Sequence, residues 1–139
     1  MTGYSGTPLF KKLGLKSGYL VYLQNPPTNY FELLGDLPNE VHFTESLETK
    51  VDLIHLFTND FNELAESLDE FQNRIKDEGM IWVSWYKKVA KLPTELTEDI
   101  IRETALKLKL VDAKVCAVDE KWSGLKLVIR RENRKNITT

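Results

Sequence analysis

Val51-Asp52-Leu53-Ile54-His55-Leu56-Phe57 is a short apolar run, followed by Asn59-Asp60 and, further on, by Met80-Ile81-Trp82-Val83-Ser84-Trp85-Tyr86. Between the two runs, Phe61, Leu64, Ala65, Leu68, Phe71 and Ile75 recur at helical spacing and form one apolar stripe. Glu63, Glu66, Asp69, Glu70, Arg74 and Lys76 fill the other positions, so that face is expected to be solvated. Asn59 and Asp60 supply helix-start chemistry, and Gly79 is expected to end the helix in the left-handed conformation. Strand, amphipathic helix and strand at this spacing predict a crossover unit, two parallel strands with the helix packed across one face.

The flanking sequence extends that unit. Tyr19-Leu20-Val21-Tyr22-Leu23 predicts the first strand, ending at Gln24-Asn25, and Val41-His42-Phe43-Thr44 a short edge strand. Thr7-Pro8 reads as a cap with proline at the first helical position, and Gly14 stops that short helix. Thr28 or Asn29 caps a second, Tyr30 to Leu34, closed by Gly35. Thr97-Glu98-Asp99 opens a helix whose buried face is Ile100, Ile101, Ala105 and Leu108. Ala113 to Val118 and Leu125 to Ile129 are strands joined by so short a link that they must pair antiparallel. The fold class is therefore α/β, three-layered and Rossmann-like: a mainly parallel sheet of about six strands ending in an antiparallel hairpin.

The chain of 139 residues is expected to be a single domain, 1–139, with an extended N-terminus over 1–6 and a flexible tail over 132–139. Its 19 basic and 21 acidic residues give a net charge of −2, which calls for neither nucleic acid nor an anionic membrane. Arg130, Arg131, Arg134 and Lys135 form the one local excess of charge, read as a solvated strand end too short for many phosphate contacts. The single cysteine, Cys116, forms no intramolecular disulfide, and the cytoplasm is the expected compartment. No apolar run approaches the ~18 residues of a membrane span.

Leu13-Gly14-Leu15-Lys16-Ser17-Gly18-Tyr19-Leu20-Val21, Val51-Asp52-Leu53-Ile54 and the hairpin from Ala113 to Ile129 are similar to the first, fourth and final strands of class I methyltransferases. Tyr4-Ser5-Gly6-Thr7-Pro8-Leu9, with Val115-Cys116-Ala117-Val118-Asp119 and Trp122-Ser123-Gly124-Leu125, more closely resembles a small bacterial family, a domain of unknown function. The resemblance implies a methyltransferase-like sheet lacking one strand–helix pair, and a bacterial, cytoplasmic protein. It also implies, for a methyl donor such as S-adenosylmethionine, an acidic residue to hold a ribose hydroxyl, the place that Glu45 would take. The sequence departs from the family after the first strand. There a methyltransferase needs glycines for close backbone approach to the cofactor, but Gln24-Asn25-Pro26-Pro27-Thr28-Asn29-Tyr30 contains none.

Few residues suggest chemistry. His42 and His55 lack ligand partners at useful spacing, so no metal site is expected, and His55 reads as a hydrogen-bonded core histidine. Ser5, Ser84 and Ser123 have no base partner visible in the sequence. In an open parallel sheet, ligands bind beyond the carboxyl ends of the strands, a rim that collects Gln24, Asn25, Thr58, Asn59, Lys87 and Lys88 beside the capped helix start at Thr97. Trp82, Trp85, Tyr86 and Trp122 read as packing. Tyr30 or Phe31 is expected to fold inward and narrow the crevice after the first strand, since burying such a ring is worth about 1.5–3 kcal/mol.

The reading is a non-catalytic binding module for a small anionic ligand or a protein partner, with no cofactor assigned. The alternative is an S-adenosylmethionine-dependent methyltransferase with an atypical cofactor loop. Nucleic-acid binding through the basic C-terminal end ranks third.

Overall fold

The computed structural model describes residues 7–134, which build a six-stranded sheet with helices on both faces. In chain order the elements are α1 (Leu9–Leu13), β1 (Leu20–Gln24), α2 (Tyr30–Leu34), β2 (His42–Thr44) and β3 (Val51–Phe57). They continue with α3 (Phe61–Phe71), β4 (Ile75–Tyr86), α4 (Glu98–Leu106), β5 (Leu110–Ala117) and β6 (Trp122–Ile129). The strands lie in the order β2-β1-β3-β4-β6-β5. The pairings from β2 to β4 are parallel, while β4 with β6 and β6 with β5 are antiparallel.

Both faces of the sheet carry apolar side chains, and each face is covered by two helices. Leu64, Leu68 and Phe71 of α3 join Ile101 and Ala105 of α4 over Ile54, Leu56, Ile81, Val83, Leu125 and Leu127. Leu9 and Leu13 of α1 and Tyr30 and Leu34 of α2 pack on the other face over Val21, Leu53, Phe57 and Trp82. Trp82 Nε1 donates to the Leu13 carbonyl at 3.0 Å, which pins the end of α1 to the sheet. The four aromatic residues read as packing all serve it: Trp82 and Trp85 are buried, and Tyr86 and Trp122 lie against each other with ring centres 4.5 Å apart.

Three expectations need correction. The central helix ends at Phe71 rather than near Gly79, because Ile75 already belongs to β4 and pairs with Val51. Gly79 is not left-handed; it sits where β4 bulges between the pairs Val51–Ile75 and Leu53–Met80. A Cβ there would lie 3.0 Å from the carbonyl oxygens of Asp52 and Lys76, so close approach is what requires glycine. Phe61, assigned to the buried stripe, is 43% exposed, since the first turn of α3 overhangs the rim. At α1, Pro8 occupies the cap position and not the first helical one.

Arg131–Asn133 make a 3-10 turn that takes in the first two residues of the expected tail, and Arg134 Nε donates to the Ile129 carbonyl. The extended stretch expected over 1–6 and the tail from 135 on lie outside the described residues. Among the described residues no helix is long and apolar enough to cross a membrane.

Candidate functional site

β1 leads through α2 to β2 on one side, whereas β3 leads through α3 to β4 on the other. The chain thus diverges between β1 and β3, and the crevice beyond their carboxyl ends is where such a sheet offers a ligand site. Gln24 and Asn25 reach it from β1, and Thr58 and Asn59 from β3. All four are engaged by the protein itself.

Asn25 holds a left-handed φ of 58°, a conformation asparagine tolerates better than most residues. Its Nδ2 donates to the Phe57 carbonyl at 3.1 Å and to Glu63 Oε2 at 2.9 Å, so one amide spans from β1 to β3 and the start of α3. Thr58 Oγ1 donates to the other Glu63 oxygen at 2.6 Å and accepts from the Asp60 amide at 3.1 Å. Glu63 receives both ties while its own amide donates to the capping carboxylate of Asp60 at 2.7 Å. Gln24 Nε2 lies 3.4 Å from Ser67 Oγ, and Asn59 Oδ1 accepts from the Tyr86 amide at 2.8 Å.

The loop after β1 reinforces this closure. Pro26 and Pro27 delay the helix, and the Tyr30 amide donates to the Pro27 carbonyl at 3.0 Å. Tyr30 then folds inward as expected, while Phe31 stays 57% exposed and rests edge-on against Phe43. Tyr30 Oη lies 2.9 Å from His55 Nδ1, and His55 Nε2 lies 2.8 Å from Ser84 Oγ. His55 also stacks on Phe57 with ring centres 4.3 Å apart.

The partnership of Ser84 with His55 was not visible from the sequence, because the two lie 29 positions apart and meet only when β3 pairs with β4. A serine beside a histidine invites a nucleophile reading. Burial argues against it: both side chains are fully enclosed, so no substrate reaches the hydroxyl. Burial also holds the His55 pKa down at about 3 and pushes the Tyr30 phenol up. Around neutral pH the trio is a neutral, satisfied core network.

The rest of the predicted rim separates into two open grooves. Thr58 and Asn59 line one of about 460 Å³ with Asp60, Glu63, Thr94 and Glu95. Lys88 and Thr97 line the other, of about 720 Å³, with Tyr86, Glu95, Glu98 and Asp99. Lys87 follows β4, and its amide donates to the Lys121 carbonyl at 2.8 Å. Thr97 caps α4 by accepting from the Ile100 amide at 3.2 Å. Of the three carboxylates there, Glu98 and Asp99 are already paired with Arg102 and Glu95 accepts from the Phe61 amide, so the groove's charge is largely compensated within the protein. Glu45, the candidate ribose ligand, is exposed just past the end of β2.

Glu63 is the residue that sequence reading missed, having been placed on the solvated face of α3. The spacing Asp60-x-x-Glu63 is a capping-box signature and marked the position, though not its reach to Asn25 and Thr58. Among the described residues, no three side chains of metal-ligating type come together.

Geometry of this kind, with a divergence between β1 and β3 and a terminal hairpin that inserts β6 beside β4, defines a methyltransferase-like α/β fold of the Rossmann type. Solved structures agree. A methyltransferase dependent on S-adenosylmethionine from Aquifex aeolicus superposes with a TM-score of 0.60, at 18% identity over 87% of each chain. Magnesium protoporphyrin IX methyltransferase from Synechocystis, solved with its bound methyl donor, gives 0.59 at 11% identity, over 87% of this chain and 74% of that one. Fibrillarin from Aeropyrum pernix, also with S-adenosylmethionine bound, gives 0.56 at 12% identity, over 86% and 73%. These identities speak to the fold alone. No curated protein matches the sequence. Residues 34–131 match the family described as protein of unknown function (DUF3052), and the chain belongs to that family.

Proposed function

We infer that this chain is a non-catalytic binding module, a methyltransferase-like sheet whose work is to engage a protein partner. The observation that carries the reading is the tie across the crevice, where the Asn25 amide joins the Phe57 carbonyl to the Glu63 carboxylate. A methyl donor in that crevice would have to displace these bonds. It would also meet the proline-stiffened loop where close approach needs glycine. The inward Tyr30, bonded to His55, further supports a crevice filled by the protein's own side chains. Lys88 is the one basic side chain among the described residues lining the groove at Thr97, a thin basis for holding a small anion, and a protein partner is the better match.

Calorimetric titration with S-adenosylmethionine tests this reading. No heat of binding and no thermal shift are expected. Micromolar binding with a matching rise in melting temperature would establish the second reading, a methyltransferase with an atypical cofactor loop. Two observations favour that second reading: neighbours that carry S-adenosylmethionine in the same fold, and the place of Glu45 at the end of β2.

A further inference from the structure

On the face of the terminal hairpin that lies toward α1, Lys114 of β5 stands directly opposite Lys126 of β6. Lys126 in turn stands opposite Trp82 of β4, which fixes this face as the one carrying α1. The juxtaposition is built by a bulge. Asp112 pairs with Leu127 and Lys114 with Lys126, so Ala113 is an extra residue in β5. Strict alternation already sends Asp112 toward α4, where it accepts from Arg102 Nε at 3.0 Å, and without the bulge Lys114 would share that side. The extra residue moves Lys114 to the opposite side, next to another lysine.

Burial lowers the Lys126 pKa, and repulsion from Lys114 and from Lys16, just past the end of α1, lowers it further. Neither Lys16, Lys114 nor Lys126 forms an ion pair with a carboxylate among the described residues. Like charges directly across a strand pair oppose folding. A chain of net charge −2 has acids enough to neutralise three lysines, and it leaves these without one.

We propose that this lysine-bearing face of the β5–β6 hairpin is a docking surface for an acidic segment of a protein partner. The proposal rests on the reading of the chain as a binding module and supplies the chemistry of the partner. Charge complementarity carries it: three uncompensated ammonium groups converge on a sheet face beside half-buried Cys116 and Val128, and an incoming row of carboxylates relieves their repulsion. Nucleic acid fits less well. Base stacking needs exposed aromatic rings, and those exposed among the described residues, Phe31 and Phe61, belong to α2 and α3. Trp122, the aromatic residue nearest in the hairpin, is occupied by Phe57 and Tyr86.

A short polyglutamate peptide is the probe, titrated into the full chain at low and at high salt. Binding is expected at low salt and should fade as salt rises. The double variant Lys16→Ala, Lys114→Ala should weaken it by roughly tenfold while its melting temperature holds or rises. Absence of binding at low salt, or equal binding by the variant, overturns the proposal. So does tighter binding of a single-stranded oligonucleotide, which would make the face a phosphate surface. Salt-sensitive self-association abolished by the same substitutions would overturn it too, in favour of a second copy of this chain. If S-adenosylmethionine stays silent and the peptide fails, only the docking surface is lost. If S-adenosylmethionine binds, the binding-module reading falls whatever the peptide does.

Discussion

The crevice between β1 and β3 and the open face of the β5–β6 hairpin handle charge in opposite ways. In the crevice each polar group has an internal partner: Asn25 bonds Phe57 and Glu63, Thr58 bonds Glu63, and Asn59 bonds Tyr86. On the hairpin, Lys114 faces Lys126, and among the described residues neither meets a carboxylate. A place where a fold usually holds its ligand is internally satisfied, and a place usually left to packing is electrostatically unsatisfied. Groups already bonded to one another have little to gain from a ligand, because binding must first break those bonds. Groups held in mutual repulsion gain from the first contact. That difference is why the proposed docking surface lies on the hairpin and not in the crevice.

The largest effect expected from breaking this contrast lies beneath the crevice. His55 is held neutral, its pKa lowered to about 3 by burial, whereas unfolded it titrates near its ordinary 6.5. Between those values the unfolded chain binds the extra proton. The stabilisation is therefore complete above about pH 6.5 and is lost as the pH falls toward 3, at up to about 1.4 kcal/mol per pH unit. Denaturant titrations across that range should show the slope, and His55→Gln, which keeps two hydrogen-bonding ends for Tyr30 and Ser84, should flatten it. An equal slope in both proteins would mean that His55 does not carry the acid sensitivity.

Next in size is the tie itself. Glu63→Ala removes one of the two hydrogen bonds made by the Asn25 amide and one of the two made by the Thr58 hydroxyl, and a loss of about 1–2 kcal/mol is expected for a site only partly shielded from water. The same variant sharpens the comparison: if the closed crevice is what keeps the methyl donor out, opening it should give S-adenosylmethionine a first detectable binding heat. A stability change near zero would show that the tie contributes nothing to holding β1 against β3. The smallest effect has the opposite sign. Lys114→Ala removes one half of a repelling cross-strand pair and should raise stability by about 0.2–1 kcal/mol. A loss of stability on that substitution would mean the lysine is partnered, and the contrast between the two regions would collapse.

Much of the architecture was legible because it rests on local repetition. The run Val51 to Phe57, the stripe Leu64-Leu68-Phe71 and the cap at Thr97 each declare themselves within a few residues. The misplacement at Gly79 shows the limit of that legibility. A glycine after an amphipathic run is a helix stop on local grounds, yet here the backbone of Asp52, from a neighbouring strand, decides its role. That either Tyr30 or Phe31 would turn inward was also legible, since burying such a ring is favourable, but which of the two does so was settled by the hydrogen bond that His55 offers Tyr30.

By itself, then, the sequence determined the α/β class, the crossover unit, the closing hairpin and the missing glycines after the first strand, all of which follow from periodicity, chain length and backbone stereochemistry. Only the tertiary structure decided which polar residues meet. Asn25 and Glu63 are 38 positions apart, and His55 and Ser84 are 29. The single-residue bulge at Ala113 decided that Lys114 faces Lys126. Hydrogen bonds and charge pairs act over a few ångströms, so their partners are set by strand register and not by spacing along the chain. One extra residue in a strand is enough to exchange a neutral neighbour for a repelling one.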